Sequence, residues 1–448
     1  MITAWPLCIL PGALADAHYA AQNGQTPAGT YTAWDSAASN IQDAVNAAIA
    51  NDTVWVGAGR YTVPTNPVAY FGTNVVYINK LITLRSSNGV PASTIIDGGG
   101  ANRGVAMVYL ATSGNRFTLD GFTISNCYGT NSGGGVLLFS DDYAWHATIQ
   151  NCIISNNTVA YGTHMGTPGR GDSTGSRGGG ISFWNSYYVS FLAGLIVSNC
   201  VITGNRVLDG GSGGGIFVQN GGQRLIIDCL IENNLAGYGG GVATGYTPIS
   251  PSAFRNGIEN CVIKGNRALN NGGGWQGGQF SPGNETNKFK NCLFYNNVAA
   301  GVGGGLRDEQ AGKVELVNCT IVSNRATTSG SGISVYNANW QVCNSIVYYN
   351  WTDNLNMATY ANSYFTNTCV TPITSLLGSG NFTTAPDFVN NAGQDFRLSA
   401  NSPCVNRGLN QAWMTNAVDL DKRARIRYGT VDVGAYEVLY RGAVFKFR

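Results

Sequence analysis

The sequence predicts an all-β fold: a right-handed, single-stranded parallel β-helix, or solenoid, with an N-terminal amphipathic capping helix and a C-terminal β-rich cap. Three observations predict it. A phrase built on Asn-Cys recurs, as NCIISNN at 151–157, NCVITGN at 199–205, DCLIENN at 228–234, NCVIKGN at 260–266, NCLFYNN at 291–297 and NCTIVSN at 318–324. Each copy is followed by a glycine-rich step, such as GGGI at 178–181, GGGV at 239–242 and GGGL at 303–306. Within each phrase apolar and polar residues alternate, which is the period of a strand and not of a helix.

The cysteines set the length of a coil. Cys127, Cys152, Cys200, Cys229, Cys261, Cys292, Cys319 and Cys343 follow one another at intervals of 25, 48, 29, 32, 31, 27 and 24 residues. A constant floor with variable excess marks a solenoid whose insertions enter through loops. Parallel crossovers are overwhelmingly right-handed. Equivalent residues on adjacent coils lie about 4.8 Å apart, so these cysteines are expected to stack as one interior ladder of buried thiols. Asn157, Asn205, Asn234, Asn266, Asn297 and Asn324 end the phrases, where the chain turns. Their amides can bond to neighbouring coils while tolerating left-handed backbone angles, and the glycines form a second corner. Cys369 and Cys404 lie outside the ladder, and a bridge between them is left open.

The ends read differently. An apolar stretch from Ala4 to Leu14 closes on Ala15-Asp16-Ala17, so residues 1–17 read either as a secretory signal or as a retained apolar arm. Residues 18–62 form the N-terminal cap, with a helix over 36–50 that puts Ile41, Val45, Ala48 and Ile49 on one face before the first strand, in DTVWVGAGRYT. Coils follow over 63–365, and a cap or anchor-like region over 366–448.

Composition bounds the function. The chain has 448 residues, 26 Lys+Arg against 24 Asp+Glu, 61 Gly and 11% charged residues, where about 25% charged is usual. Near-neutral charge argues against a nucleic-acid partner. No run of 18 or more apolar residues occurs, so no transmembrane helix is predicted.

Three stretches carry a family resemblance: YTAWDSAASNIQDAVNAAIANDTVWVGAGRYT at 31–62, with STIIDGGG at 93–100 and FTLDGFTISNC at 117–127; the Asn-Cys and glycine repeat; and SPCVNRG at 402–408 with VDLDKRARIRYGTVDVGAYE at 418–437. The chain resembles secreted right-handed parallel β-helix repeat proteins with a C-terminal choice-of-anchor type domain, relatives of the pectate-lyase-like solenoids. The resemblance implies an exported protein with an extracellular or cell-surface life. It does not by itself imply catalysis.

Candidate chemistry is sparse. Glycoside hydrolysis needs paired carboxylates, and a lyase needs calcium-binding acids with a basic side chain in one groove. Asp141-Asp142 is an adjacent acid pair in the coils, and the long loop at 159–180 carries His164, Arg170, Asp172 and Arg177. With Trp145, His146 and Trp184 these form a candidate carbohydrate-binding group. Asp228 and Glu232 fall within a repeat phrase and read as structural. No metal site is expected from Cys or His spacing, and the glycine steps lack the Lys-Ser/Thr of a phosphate loop. Asp419, Asp421, Arg423, Arg425, Asp432 and Glu437 read as an ion-pair lock on the last coil, with calcium as the alternative. The leading functional expectation is an extracellular scaffold, structural or adhesive, that self-associates end to end or through residues 1–14. A polysaccharide lyase or hydrolase, or a non-catalytic carbohydrate binder, are the alternatives.

Overall fold

The computed structural model describes residues 15–62, 66–68, 72–109, 116–140, 145–160, 176–185, 193–219, 223–245, 257–278, 283–309, 311–336, 339–357, 363–373 and 377–438. Among them the chain winds as a parallel β-helix. Sheet I has 12 strands, from Ala17–Ala20 to Tyr364–Thr366, and sheet II has 11, from Gly59–Tyr61 to Cys369–Val370. Sheet III has 11, from Asn66–Val68 to Leu355–Met357, and a narrow fourth sheet of seven runs from Tyr128–Thr130 to Arg325–Ala326. The path of one coil is sheet I, sheet II, fourth sheet, glycine step, sheet III. Strict register stacks like on like: Ile124, Ile154, Ile202, Ile231, Ile263, Phe294, Ile321 and Val347 face inward on successive rungs of sheet II, all buried.

Left-handed residues make the corners. The first residue of each phrase, from Asn151 through Asp228 to Asn344, has φ between 50 and 54°. The residue before each phrase-ending asparagine is left-handed too: Asn156, Gly204, Asn233, Gly265, Asn296, Ser323 and Tyr349. The ladder asparagines themselves are not, which corrects the expectation that they supply the left-handed turn. In the glycine step only the first glycine needs positive φ, as Gly178 does at 64°. Its followers are held to glycine by crowding: a Cβ on Gly179 would lie 2.5 Å from the Gly214 carbonyl oxygen.

The turn sends the ladder asparagine inward, where its amide is fully used. Asn205 Nδ2 donates to the Ile154 carbonyl at 2.9 Å and to Asn234 Oδ1 at 3.0 Å, and the Asn205 N–H donates to the same Oδ1 at 3.0 Å. The pattern repeats through Asn157, Asn234, Asn266, Asn297, Asn324 and Asn350. Asn157 through Asn324 are buried to 1% exposure or less.

The thiol ladder differs from the expected one at both ends. Cys152, Cys200, Cys229, Cys261, Cys292 and Cys319 precede their sheet II strands, and each Sγ donates to the carbonyl two residues back. Cys127 instead heads the asparagine ladder, because its N–H donates to Asn157 Oδ1 at 3.0 Å. Cys343 pairs with Val317 on sheet I and is partly exposed. Ser345 takes the ladder place, with its hydroxyl on the Cys343 carbonyl at 2.8 Å. Burial pushes the Cys127 thiol up to about 12 and the Cys152, Cys229 and Cys292 thiols well above their ordinary value, so they persist as neutral donors. Cys369 and Cys404 are unbridged thiols packed side by side.

At the N-terminal end, Asp16 and Ala17 are already built into the first rung: Asp16 N–H donates to Asp52 Oδ1 and Ala17 pairs with Thr53. Residues 16 and 17 of the segment read as a secretory signal or an apolar arm thus join the first rung, while residues 1–14 lie outside the described residues. The helix is Ile41–Ala47, shorter than the expected 36–50. Asn40 caps it through Asp43 N–H. Its last carbonyls go to Lys80 Nζ, Ala48 is already extended, and Ile49 is 56% exposed. Ile41, Ala44 and Val45 are buried in the core cluster that includes the first strands.

The C-terminal region is largely irregular, with one hairpin, Phe388–Asn390 with Asp395–Leu398. It packs Phe382, Phe388, Phe396, Leu398 and Val433 on Leu293, Val322 and Ile346 of the outer face of sheet II. The corner asparagines hold it: Asn291, Asn318 and Asn344 donate to the carbonyls of Val418, Asp432 and Leu409. The charged motif thus clasps the flank of several coils, and not the last coil alone. Arg425, fully buried, faces Glu437 at 3.4 Å, and the carboxylates of Asp419 and Asp432 accept backbone N–H groups of Arg423, Glu437, Asn406 and Val438. Asp421 joins Arg397 at 2.7 Å and Arg423 at 3.0 Å.

Two predictions follow from this packing. Asn234→Ala should cost about 3 kcal/mol or more, because it orphans buried groups on both neighbouring coils. Cys229→Ser should cost about 1 kcal/mol, since Ser345 shows the hydroxyl making the same bond. Denaturant unfolding of the two variants reads the difference, and equal losses would contradict the ladder assignment. The second concerns pH. Burial raises the Glu437 carboxyl to about 8 despite Arg425, with Asp432 and Asp419 adding to the rise. The folded protein then holds this proton more tightly than the unfolded chain, so its contribution is complete below about 4.5 and is lost as pH rises through about 8. Glu437→Gln should flatten that decline in a melting series across the window; an unchanged slope would refute it.

Candidate carbohydrate-binding face

Of the residues singled out in the sequence, the four that the structure describes, Trp145, His146, Arg177 and Trp184, do not come together. Asp141, Asp142, His164, Arg170 and Asp172 lie outside the described residues. Trp145 points into the solenoid, 0% exposed and stacked on Phe183 at 5.1 Å, so it is a core residue and no sugar platform. Trp184 lies on the outer face of sheet III but is only 8% exposed, edge-on to Phe139. Arg177 is buried beside the glycine step, donating to Gln219 Oε1 at 2.7 Å over the Phe217 ring. His146 opens a sheet I strand between Arg116 and Gly194. Trp145 and His146 are adjacent in sequence, yet one faces the core and the other starts a strand inside sheet I. Asp228 receives Lys422 of the C-terminal clasp, and Glu232 pairs with Lys264 at 3.1 Å.

A different group forms on the outer face of sheet I in its C-terminal half. Inward residues Ile258, Phe289, Leu316 and Val342 fill the core, which turns their neighbours outward. One outward row runs Lys288, Glu315, Gln341, Tyr364, and a second has Glu259 opposite Lys290. Lys313 Nζ lies 2.8 Å from Glu315, Lys288 Nζ 3.9 Å from Glu315, and Lys290 Nζ 3.9 Å from Glu259. The clasp adds an aromatic: Trp413 is held by its Nε1–H on Gln411 Oε1 at 2.7 Å, with Lys290 Nζ over its ring at 5.2 Å. Tyr364 lies toward the other end, 51% exposed, with Leu377 bridged beyond it.

Stability does not account for the pairs on Glu315. They are partly exposed and contribute about 0–1 kcal/mol each, whereas the buried Glu259 carboxylate needs Lys290 as its structural partner. Chemically, three ammonium groups and the Glu315 carboxylate supply donors and an acceptor for hydroxyls, while Glu259 is buried beneath Lys290, and Trp413 and Tyr364 supply flat faces for sugar rings. No sequence motif marks these residues. Their signal was the phase of alternation in KFK at 288–290 and KVELV at 313–317, which puts every charge outward. Among the described residues no cluster of three or more His, Cys, Asp or Glu side chains is arranged to hold a metal ion, and no helix is long and apolar enough to cross a membrane.

Comparisons with known proteins agree with this architecture. Residues 106–321 match the family described as Right handed beta helix region. No curated protein matches the chain. Among solved structures, that of pectate lyase Pel9A is similar over 95% of this chain and 97% of its own, with a TM-score of 0.56 and 16% sequence identity. At that identity the likeness is one of fold, and the protein is a right-handed parallel β-helix.

Proposed function

We propose that this is an exported β-helix scaffold protein that binds polysaccharide along the outer face of sheet I. The observation that carries the reading is the row Lys288, Glu315, Gln341, Tyr364, flanked by Lys290 beneath Trp413. It is a shallow, open, polar strip with aromatic rings toward its ends, running along the solenoid axis, a shape suited to a linear chain and not to a small molecule. The fold likeness to a pectate lyase supports a polysaccharide partner. Nothing in this reading requires turnover, and a surface scaffold that holds a glycan needs only the strip.

The test is affinity electrophoresis of the whole protein through a panel of neutral and acidic polysaccharides, with product analysis alongside. Binding is expected, and Trp413→Ala with Tyr364→Ala should weaken it by roughly ten-fold, the effect of losing about 1.5 kcal/mol of ring stacking. Retention of full affinity by that double variant, or no binding to any polymer, would overturn the assignment. New reducing ends or unsaturated products would extend the role from binding to cleavage.

A further inference from the structure

The fourth sheet carries an array that the sheet I strip does not explain. Its seven strands each begin one residue after the asparagine-ladder position, so their first side chains point outward in a single file. Read along the axis the file is Tyr128, Thr158, Arg206, Leu235, Arg267, Val298, Arg325. Trp351 continues it, since its N–H donates to the Asn324 carbonyl just as Arg325 N–H donates to Asn297. Arginine therefore recurs on every second rung, with an apolar residue between. Rungs are about 4.8 Å apart, so the guanidinium groups repeat at about 9.5 Å.

These arginines are exposed, and none of them is ion-paired among the described residues. No strand of the fourth sheet contains an acid. Arg325 lies 4.6 Å from the ring of Trp351, which is 70% exposed. Leu208 and Leu269, two positions beyond Arg206 and Arg267, are 49% and 43% exposed. In a chain with 11% charged residues, a regular file of unpaired guanidinium groups beside exposed apolar side chains is uneconomical as plain surface. Leucine at such positions adds nothing to solubility, and arginine is suited to bidentate contact with carboxylate or sulfate.

We propose that this file is a second binding surface, for a linear acidic polysaccharide with one anionic group per disaccharide, lying along the solenoid axis. Extended sugar chains turn alternate residues to opposite sides, so an acid on every second sugar faces the same way, at a spacing close to that of alternate coils. Arg206, Arg267 and Arg325 meet the anions, and Leu235, Val298 and Trp351 meet the apolar faces of the sugars between them. The proposal shares the polysaccharide partner of the preceding section but uses a different face and fixes the charge of the ligand.

The experiment uses hyaluronan, which has one carboxylate per disaccharide, with carboxyl-reduced hyaluronan and single-stranded DNA as controls, all at low ionic strength. Binding of hyaluronan is expected, with at least a ten-fold loss on carboxyl reduction and a similar loss for Arg206→Gln/Arg267→Gln/Arg325→Gln. The charge-neutral register variant Arg267→Leu/Val298→Arg should lose nearly as much, because it moves one guanidinium by a single rung. Full affinity in the register variant, or DNA bound as tightly as hyaluronan, would overturn the proposal, the first by showing that net charge suffices. If the triple arginine variant keeps its affinity while the Trp413/Tyr364 variant loses it, this surface is refuted and the sheet I strip stands. If no polysaccharide binds the wild type, both fall.

Discussion

The asparagine ladder is the constraint on which the rest of the structure depends. Each amide donates to the coil behind and to the next amide ahead, and each Oδ1 accepts two hydrogen bonds from the preceding asparagine. That geometry closes only if successive coils are in strict register at the strand spacing. A slip of one residue would leave buried amides unpaired on both sides, at about 1–3 kcal/mol for each unsatisfied group. The ladder therefore sets the register of sheet II and the fourth sheet together. It also explains the left-handed residue that precedes it, because only that turn brings the amide inside.

A fixed corner and free loops divide the surface into two kinds. The crossing from sheet II to the fourth sheet takes two residues in each of these coils, as in Asn156-Asn157 or Gly265-Asn266. Successive ladder positions are nevertheless separated by 48, 29, 32, 31, 27 and 26 residues. All of that variation enters elsewhere, around the glycine step and between sheets III and I. Side chains next to the ladder consequently form a lattice with a constant period. Side chains next to the loops do not. A polymer ligand with its own period can be matched only by the first kind of surface, which is where the arginines stand.

Much of this was legible in the sequence, and the failures share one cause. The repeat, the coil, the corners and the buried thiols follow from spacing and residue type, since an Asn-Cys phrase at coil intervals has few other readings. The sequence misleads where a residue type recurs out of register. Cys127 and Cys343 look like ladder members, but their strand partners put one in the asparagine ladder and the other outside. Ser345 was invisible as a ladder residue because it is not cysteine, although its hydroxyl makes the same bond. The helix stops short of the predicted 36–50 where Lys80, distant in sequence, donates to the carbonyls of Val45 and Ala48. Nothing local in the sequence shows that residues 409–434 run back along asparagines 291, 318 and 344, so the charged motif reads as a lock on the last coil.

The same reasoning separates core aromatics from candidate ligand platforms. Trp145 and Trp351 are the same letter in similar polar surroundings, yet one is 0% and the other 70% exposed. What differs is phase. Trp145 stacks inward on Phe183, while Trp351 occupies the first position after a ladder asparagine, which always points outward. Once the ladder is assigned, that position can be read in every coil from the sequence alone, and it returns Thr158, Arg206, Leu235, Arg267, Val298, Arg325 and Trp351. Scarcity of charge then takes on a different meaning. Acids in the coils are largely drawn into pairs with lysine or arginine on sheets I and II, such as Asp120 with Arg85 and Glu232 with Lys264. The arginines beside the ladder have been left without them, and an unpaired cation repeated at a constant period is a surface arranged for an anion that the protein itself does not supply.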